Sequence, residues 1–195
     1  MNSPAPATNR LFTFIGADAG PWRVERMQCV SGEPLPGARR VAVVTGAMPW
    51  SEDPSWLLRG ITSNERYVLR EERSALVSKQ EGLGRTGSTC AALIPIRKSA
   101  AWWALAQDER REIFEAQSKH VGIGLAFLPA VARRLHHCRD LGLDEPFDFL
   151  TWFEYAPADA KQFDDLVQVL RASPEWQYVD REVDIRLVSE RGPAA

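Results

Sequence analysis

The sequence predicts an α+β fold built on a ferredoxin-like sheet, and three observations carry that prediction. Short β-branched runs such as Arg40-Val41-Ala42-Val43-Val44-Thr45 have strand length and strand composition. Residues 159–171 repeat apolar side chains at helical spacing, with Phe163, Leu166, Val167 and Leu170 on one side. Strands joined by helices occur twice over, with antiparallel hairpins between, an order satisfied by one ferredoxin-like sheet or by two such halves fused into a β-barrel with outer helices. No internal sequence repeat is visible, so the duplication rests on pattern.

In chain order, Leu11 to Ile15 and Trp22 to Met27 read as strands broken at residues 16–21, where Gly16, Gly20 and Pro21 mark a turn. A Gly/Pro-rich loop, residues 31–37, leads to the strand 40–45, whose nearly continuous apolar character makes it central. Trp56 to Ser63 is the next strand. Residues 67–80 read as a helix with Leu69, Leu76 and Val77 on one side, stopped by Gly82-Leu83-Gly84. Thr89 to Ile96 is a strand ending near Pro95. Ser99 then caps a helix carrying Trp102 and Trp103, of which one suits the core and the other a ligand edge, and Asp108 caps a second run through Ile113 and Phe114 toward His120. A strand follows Pro129, residues 140–146 form a loop, and Phe147 to Tyr155 alternates as a strand. The helix from Asp159 to Arg171 ends before Pro174, and Tyr178 to Leu187 closes the chain as a strand with Val179, Val183, Ile185 and Leu187 on one face.

With 195 residues, 45% of them hydrophobic, the chain can bury a core as one domain or as two small halves sharing one. A net charge of -2 leaves no footprint for nucleic acid or an anionic membrane, so an anionic substrate would be drawn in locally. The three cysteines, Cys29, Cys90 and Cys138, are odd in number and far apart, which argues for reduced thiols and against a zinc cluster. Residues 1–10 lack the basic and apolar segments of a secretory signal, no apolar run has the length of a membrane span, and the expectation is a cytoplasmic protein with a disordered cap at 1–9.

The chemistry concentrates in residues 119–140, which hold all three histidines and several arginines. Imidazole is the commonest neutral nitrogen ligand for a metal or haem iron, and after His120 the run Val121-Gly122-Ile123-Gly124 keeps the backbone bare, so a flat macrocycle could approach. If residues 131–138 form a strand, Val131, Arg133, Leu135 and His137 share a face and Arg133 is flanked by apolar neighbours. A guanidinium so placed calls for an anion or a carboxylate. The plain alternatives stand beside this reading: a histidine satisfied in the core or at the surface, a solvated Arg133-Arg134 pair with a packed stem, and a strand edge at His136-His137.

The chain resembles a chlorite dismutase of the short, homodimeric subfamily. The resemblance runs from about Arg59 to Leu187, through Ser63 to Tyr67, Lys79-Gln80-Glu81-Gly82-Leu83-Gly84-Arg85, Cys90 to Trp103, His120 to Asp140, Phe147 to Pro157 and Val179 to Leu187. It implies two ferredoxin-like halves in one barrel, here residues 10–88, trimmed at the N-terminal side, and 89–190, which would hold haem b. Position by position, His120 matches the proximal iron ligand, Arg133 the distal arginine, and Glu175 the carboxylate hydrogen-bonded to the proximal imidazole. Lys98, Trp102 and Tyr67 match groups near the haem propionates, and Gln80 matches the glutamine facing the distal arginine. Without the resemblance Glu175, after Ser173-Pro174, reads as a solvated turn residue.

The activity implied is conversion of chlorite to chloride and dioxygen by a homodimer. Oxygen transfer to iron would give a ferryl species and hypochlorite, with Arg133 holding the anion for recombination and Gln80 orienting the guanidinium. Two rivals are open at this point: a coproheme decarboxylase of the same superfamily, which Arg133 argues against, and a haem-binding or haem-sensing module with another ligand.

Overall fold

The computed structural model describes residues 10–46, 53–62, 82–142 and 145–190. Eight antiparallel strands close into a barrel: β1 (Leu11–Ala17), β2 (Trp22–Ser31), β3 (Arg40–Thr45), β4 (Trp56–Ile61), β5 (Cys90–Lys98), β6 (Val131–His137), β7 (Phe149–Tyr155) and β8 (Val179–Ser189). Around the barrel the order is β1-β3-β2-β8-β5-β7-β6-β4. Within the first four strands this reads 4-1-3-2, and within the last four it reads 8-5-7-6, the same ferredoxin-like pattern twice.

The turn from β1 to β2 is tight because Gly20, at φ 146°, lies so close to β3 that an added Cβ would sit 2.8 Å from the Val41 carbonyl oxygen. β3 matches the predicted span and is flanked by β1 and β2. β5 runs past Pro95 to Lys98, so the predicted stop at Pro95 is corrected: its pairing with β7 is continuous, while the pairing with β8 holds from Cys90 to Leu93 and resumes at Ile96, leaving the missing N–H of proline outside the ladder. The two seams of the barrel differ. β2 and β8 pair along nearly their whole length, with two register shifts, whereas β4 and β6 meet at Ile61 and His137. β6 is therefore flanked on both sides, which sets aside the alternative of a strand edge at His136-His137.

Alternation along the strands sorts the core into two layers. The interior packs Phe14, Leu58, Leu93, Leu150, Trp152, Ile185 and Leu187, while Ala92, Ile94, Val131, Phe153 and Tyr155 face outward under a helix. That helix, α4 (Ala160–Arg171), buries the predicted stripe of Phe163, Leu166, Val167 and Leu170. Between β5 and β6 run α1 (Ala100–Ala104), α2 (Gln107–Arg111), a π-helical turn (Glu112–Gln117) and α3 (His120–Ala126). Ser99 caps α1 as predicted, its hydroxyl accepting from the Trp102 N–H. Asp108 does not cap α2: the N-cap is Ala106, whose N–H donates to Glu109 Oε2 at 2.7 Å. The predicted helix at 67–80 lies outside the described residues. Cys29, Cys90 and Cys138 are free thiols, and no helix among the described residues is long and apolar enough to cross a membrane.

Candidate active site

The backbone prepares the place for His120 before any side chain acts. The π-helical turn widens the chain ahead of α3, and Lys119, at φ 51°, is the one non-glycine residue in the left-handed region among those described. This corner starts α3 on His120. Glu115 in the π turn accepts from the Val121 N–H at 3.1 Å, and the Phe114 ring stacks on the imidazole at 4.3 Å between centroids. One of the first N–H groups of α3 is thereby satisfied and one face of the ring is covered.

His120 Nδ1 lies 2.7 Å from Glu175 Oε2. With Nδ1–H donating to the carboxylate, Nε2 keeps its lone pair and is the nitrogen left for a metal. Glu175 stands in the 3-10 turn Pro174–Tyr178, opened by the proline that ends α4, and its own N–H donates to the buried Ser118 hydroxyl at 2.9 Å. It is 4% exposed, so the solvated-turn reading does not hold.

The other carboxylate oxygen of Glu175 accepts from Lys98 Nζ at 2.8 Å. Burial alone would raise the Glu175 pKa, but once the imidazole carries its second proton His120, together with Lys98, outweighs burial by charge and hydrogen bonding and holds it down to about 2, from an ordinary 4.5. The cost of burial appears on the lysine, whose pKa desolvation draws below 10.5 against the pull of Glu175. Trp102, 4% exposed, lies under that ammonium at 4.6 Å. Of the two residues matched by resemblance to propionate-contacting groups, Lys98 pairs with the carboxylate behind the imidazole and Trp102 lies against its ammonium. Trp103 donates from Nε1 to Asp148 at 3.3 Å.

Arg133 approaches the same helix from β6. The space a Cβ on Gly124 would take is occupied by the Arg133 guanidinium, which rests directly on the glycine backbone. His120 and Gly124 are spaced i, i+4 and share a face of α3, which brings imidazole and guanidinium to one surface. Burial lowers the Arg133 pKa from 12.5. Gln80 and Tyr67 lie outside the described residues.

His136 is a different kind of histidine. It is fully buried inside the barrel, its Nδ1 donating to the Leu150 carbonyl at 3.0 Å while Nε2 accepts from Arg134 Nε at 3.1 Å. Both ring nitrogens are spent.

This surface fits a haem by the chemistry of its donors. A single imidazole backed by a carboxylate is the donor set of a haem iron, and the strip over Gly124 is filled by a flat cation that a flat ligand could displace. Sequence reasoning missed Phe114, Glu115, Ser118 and Lys119. Their contacts with His120, Val121 and Glu175 depend on a π turn and a left-handed corner that carry no residue signature.

The frame of the site is an eight-stranded barrel of two ferredoxin-like halves, with an imidazole, a carboxylate and a buried guanidinium on its helical side. The chain belongs to the chlorite dismutase family, whose profile, described as "Chlorite dismutase", matches residues 46–190. A dimeric chlorite dismutase from Nitrobacter winogradskyi is 56% identical with a TM-score of 0.84, over 91% of this chain and 99% of that one. A chlorite dismutase from Ideonella dechloratans is 33% identical over 123 residues, 62% of this chain but only 40% of that protein's length. At 19% identity and a TM-score of 0.62, the imidazole complex of the enzyme from Candidatus Nitrospira defluvii shares the fold, over 93% of this chain and 92% of that one.

Proposed function

We propose that the protein is a haem b oxidoreductase that converts chlorite to chloride and dioxygen, working as a homodimer. The observation that carries the proposal is the His120, Glu175 and Lys98 chain beside a buried Arg133, in a member of the chlorite dismutase family. His120 Nε2 would hold the iron, and haem, when bound, supplies the redox and oxygen-transfer chemistry.

The chain's own residues then have separate tasks. Glu175 fixes the ring and raises the basicity of the ligand by accepting from Nδ1–H. Lys98 keeps that carboxylate ionised and aimed. Arg133 binds the chlorine oxyanion, orients it and offsets its charge, and transfers no proton, because a guanidinium does not ionise near neutral pH. Gln80 is assigned to orienting Arg133, and Tyr67 to a propionate. Dioxygen yield on adding chlorite to haem-loaded protein, read in an oxygen electrode beside the visible spectrum, tests the reading: one O2 per chlorite is expected. Haem binding without dioxygen would make the protein a haem module of another kind. Sedimentation at micromolar concentration should give the mass of a dimer.

A further inference from the structure

The chain of contacts behind His120 does not end at Lys98. Its Nζ lies 4.6 Å from the Trp102 ring centroid and 5.6 Å from that of Trp176, so two indoles enclose an ammonium that is 5% exposed. An aromatic face attracts such a cation most strongly where water is excluded. Trp176 is itself tethered. Its Nε1–H donates to Glu182 Oε2 at 2.8 Å, and Glu182, fully buried on β8, accepts on its other oxygen from Arg171 Nε at 2.8 Å. Arg171 ends α4 and also reaches Asp184 at 3.0 Å, so helix, strand and turn are locked together at this indole.

Two features set this tether apart from ordinary packing. Glu182 already has a cation on one oxygen, yet its other oxygen holds the indole at full hydrogen-bond strength. Trp176 also follows Glu175 directly within a five-residue turn, so fixing the indole fixes the backbone from which the Glu175 carboxylate projects.

We infer that Trp176, fixed by Glu182, is a positioning residue: it closes the second wall of an indole cage that keeps Lys98 on Glu175, and through Glu175 keeps the imidazole of His120 in place. The cage stands independently of any cofactor, whereas its effect on bound iron rests on the function proposed above.

The test begins with haem-free protein. A buried, hydrogen-bonded ammonium exchanges its protons slowly enough to give a resolved 1H–15N signal, and Lys98 should give one. In Trp176→Leu, which removes both wall and tether, that signal should be lost; in Trp176→Phe, which keeps a ring without the N–H, it should broaden. Val167→Ala, a cavity variant on the buried face of α4, serves as the control: it should lose stability and keep the signal. In haem-loaded protein, Trp176→Leu should release haem about tenfold faster and lower the iron–imidazole stretching frequency. An unchanged Lys98 signal in both tryptophan variants, or equal loss in Val167→Ala, overturns the cage. If the signals behave as expected but wild-type protein binds no haem, the cage stands and the proposed function falls.

Discussion

His120 and His136 stand on opposite sides of the same sheet, and the contrast between them separates a ligand from a structural histidine. Inside the barrel, His136 is edged by the rings of Phe12 and Phe14, and each of its nitrogens has a partner from the protein, so nothing remains for a metal. Outside, under the helices, His120 has one nitrogen committed to a buried carboxylate and the other left over. Burial marks the wrong histidine, since the more buried ring is the one fully satisfied. What distinguishes a ligand is one open nitrogen with a polar group fixing the other.

The largest separation between the two sides should come from Arg133→Ala. Turnover of chlorite in haem-loaded protein should fall roughly 100- to 1,000-fold, the usual loss when one charge-stabilising donor is removed, while haem still binds and free hypochlorite can be trapped. Unchanged turnover with no trapped hypochlorite would remove Arg133 from the oxyanion site. Next in size, Glu175→Gln should weaken haem binding roughly 10- to 100-fold in a spectral titration. His136→Phe should leave that titration unchanged.

Acid unfolding should resolve the two regions by pH. Burial, abetted by Arg134 and opposed by the Leu150 carbonyl, lowers the His136 pKa from 6.5 to about 4. The unfolded chain therefore takes up the proton first, and stability should decline as pH falls from 6.5 toward 4, by about 3 kcal/mol. Glu175, held near 2 against an ordinary 4.5, contributes stability that is present above pH 4.5 and lost as pH falls toward 2, again by about 3 kcal/mol. His136→Phe should flatten the upper arm of the curve and Glu175→Gln the lower arm; an upper arm that persists in His136→Phe would assign it to another group. The smallest effect is the cost of His136→Phe at pH 7, about 1–3 kcal/mol by chemical denaturation, from removing the hydrogen bonds that Arg134 Nε and the Leu150 carbonyl make to the ring.

Most strands were legible because their β-branched alternation is local, and α4 because its four buried side chains recur at helical spacing. Two readings were decided by contacts that residue type alone does not show. Asp108 has the composition of a cap, but Glu109 reached the Ala106 N–H instead. His136-His137 resembles a strand edge until β4 closes the barrel against β6. In the site, His120 and Arg133 stood out as residue types in an unusual setting. The use of Lys98 did not, because its partner Glu175 lies far along the chain in a turn after a proline. Gly124 was noted for a bare backbone, but the group that exploits it is the guanidinium of Arg133.

A haem titration of His120→Ala beside His136→Phe, followed by the Soret band, tests the central claim most directly. The account predicts that His136→Phe binds haem with the wild-type spectrum, whereas His120→Ala loses the wild-type band and recovers it when imidazole is added. A wild-type Soret band in His120→Ala without imidazole would contradict the assignment of iron to His120.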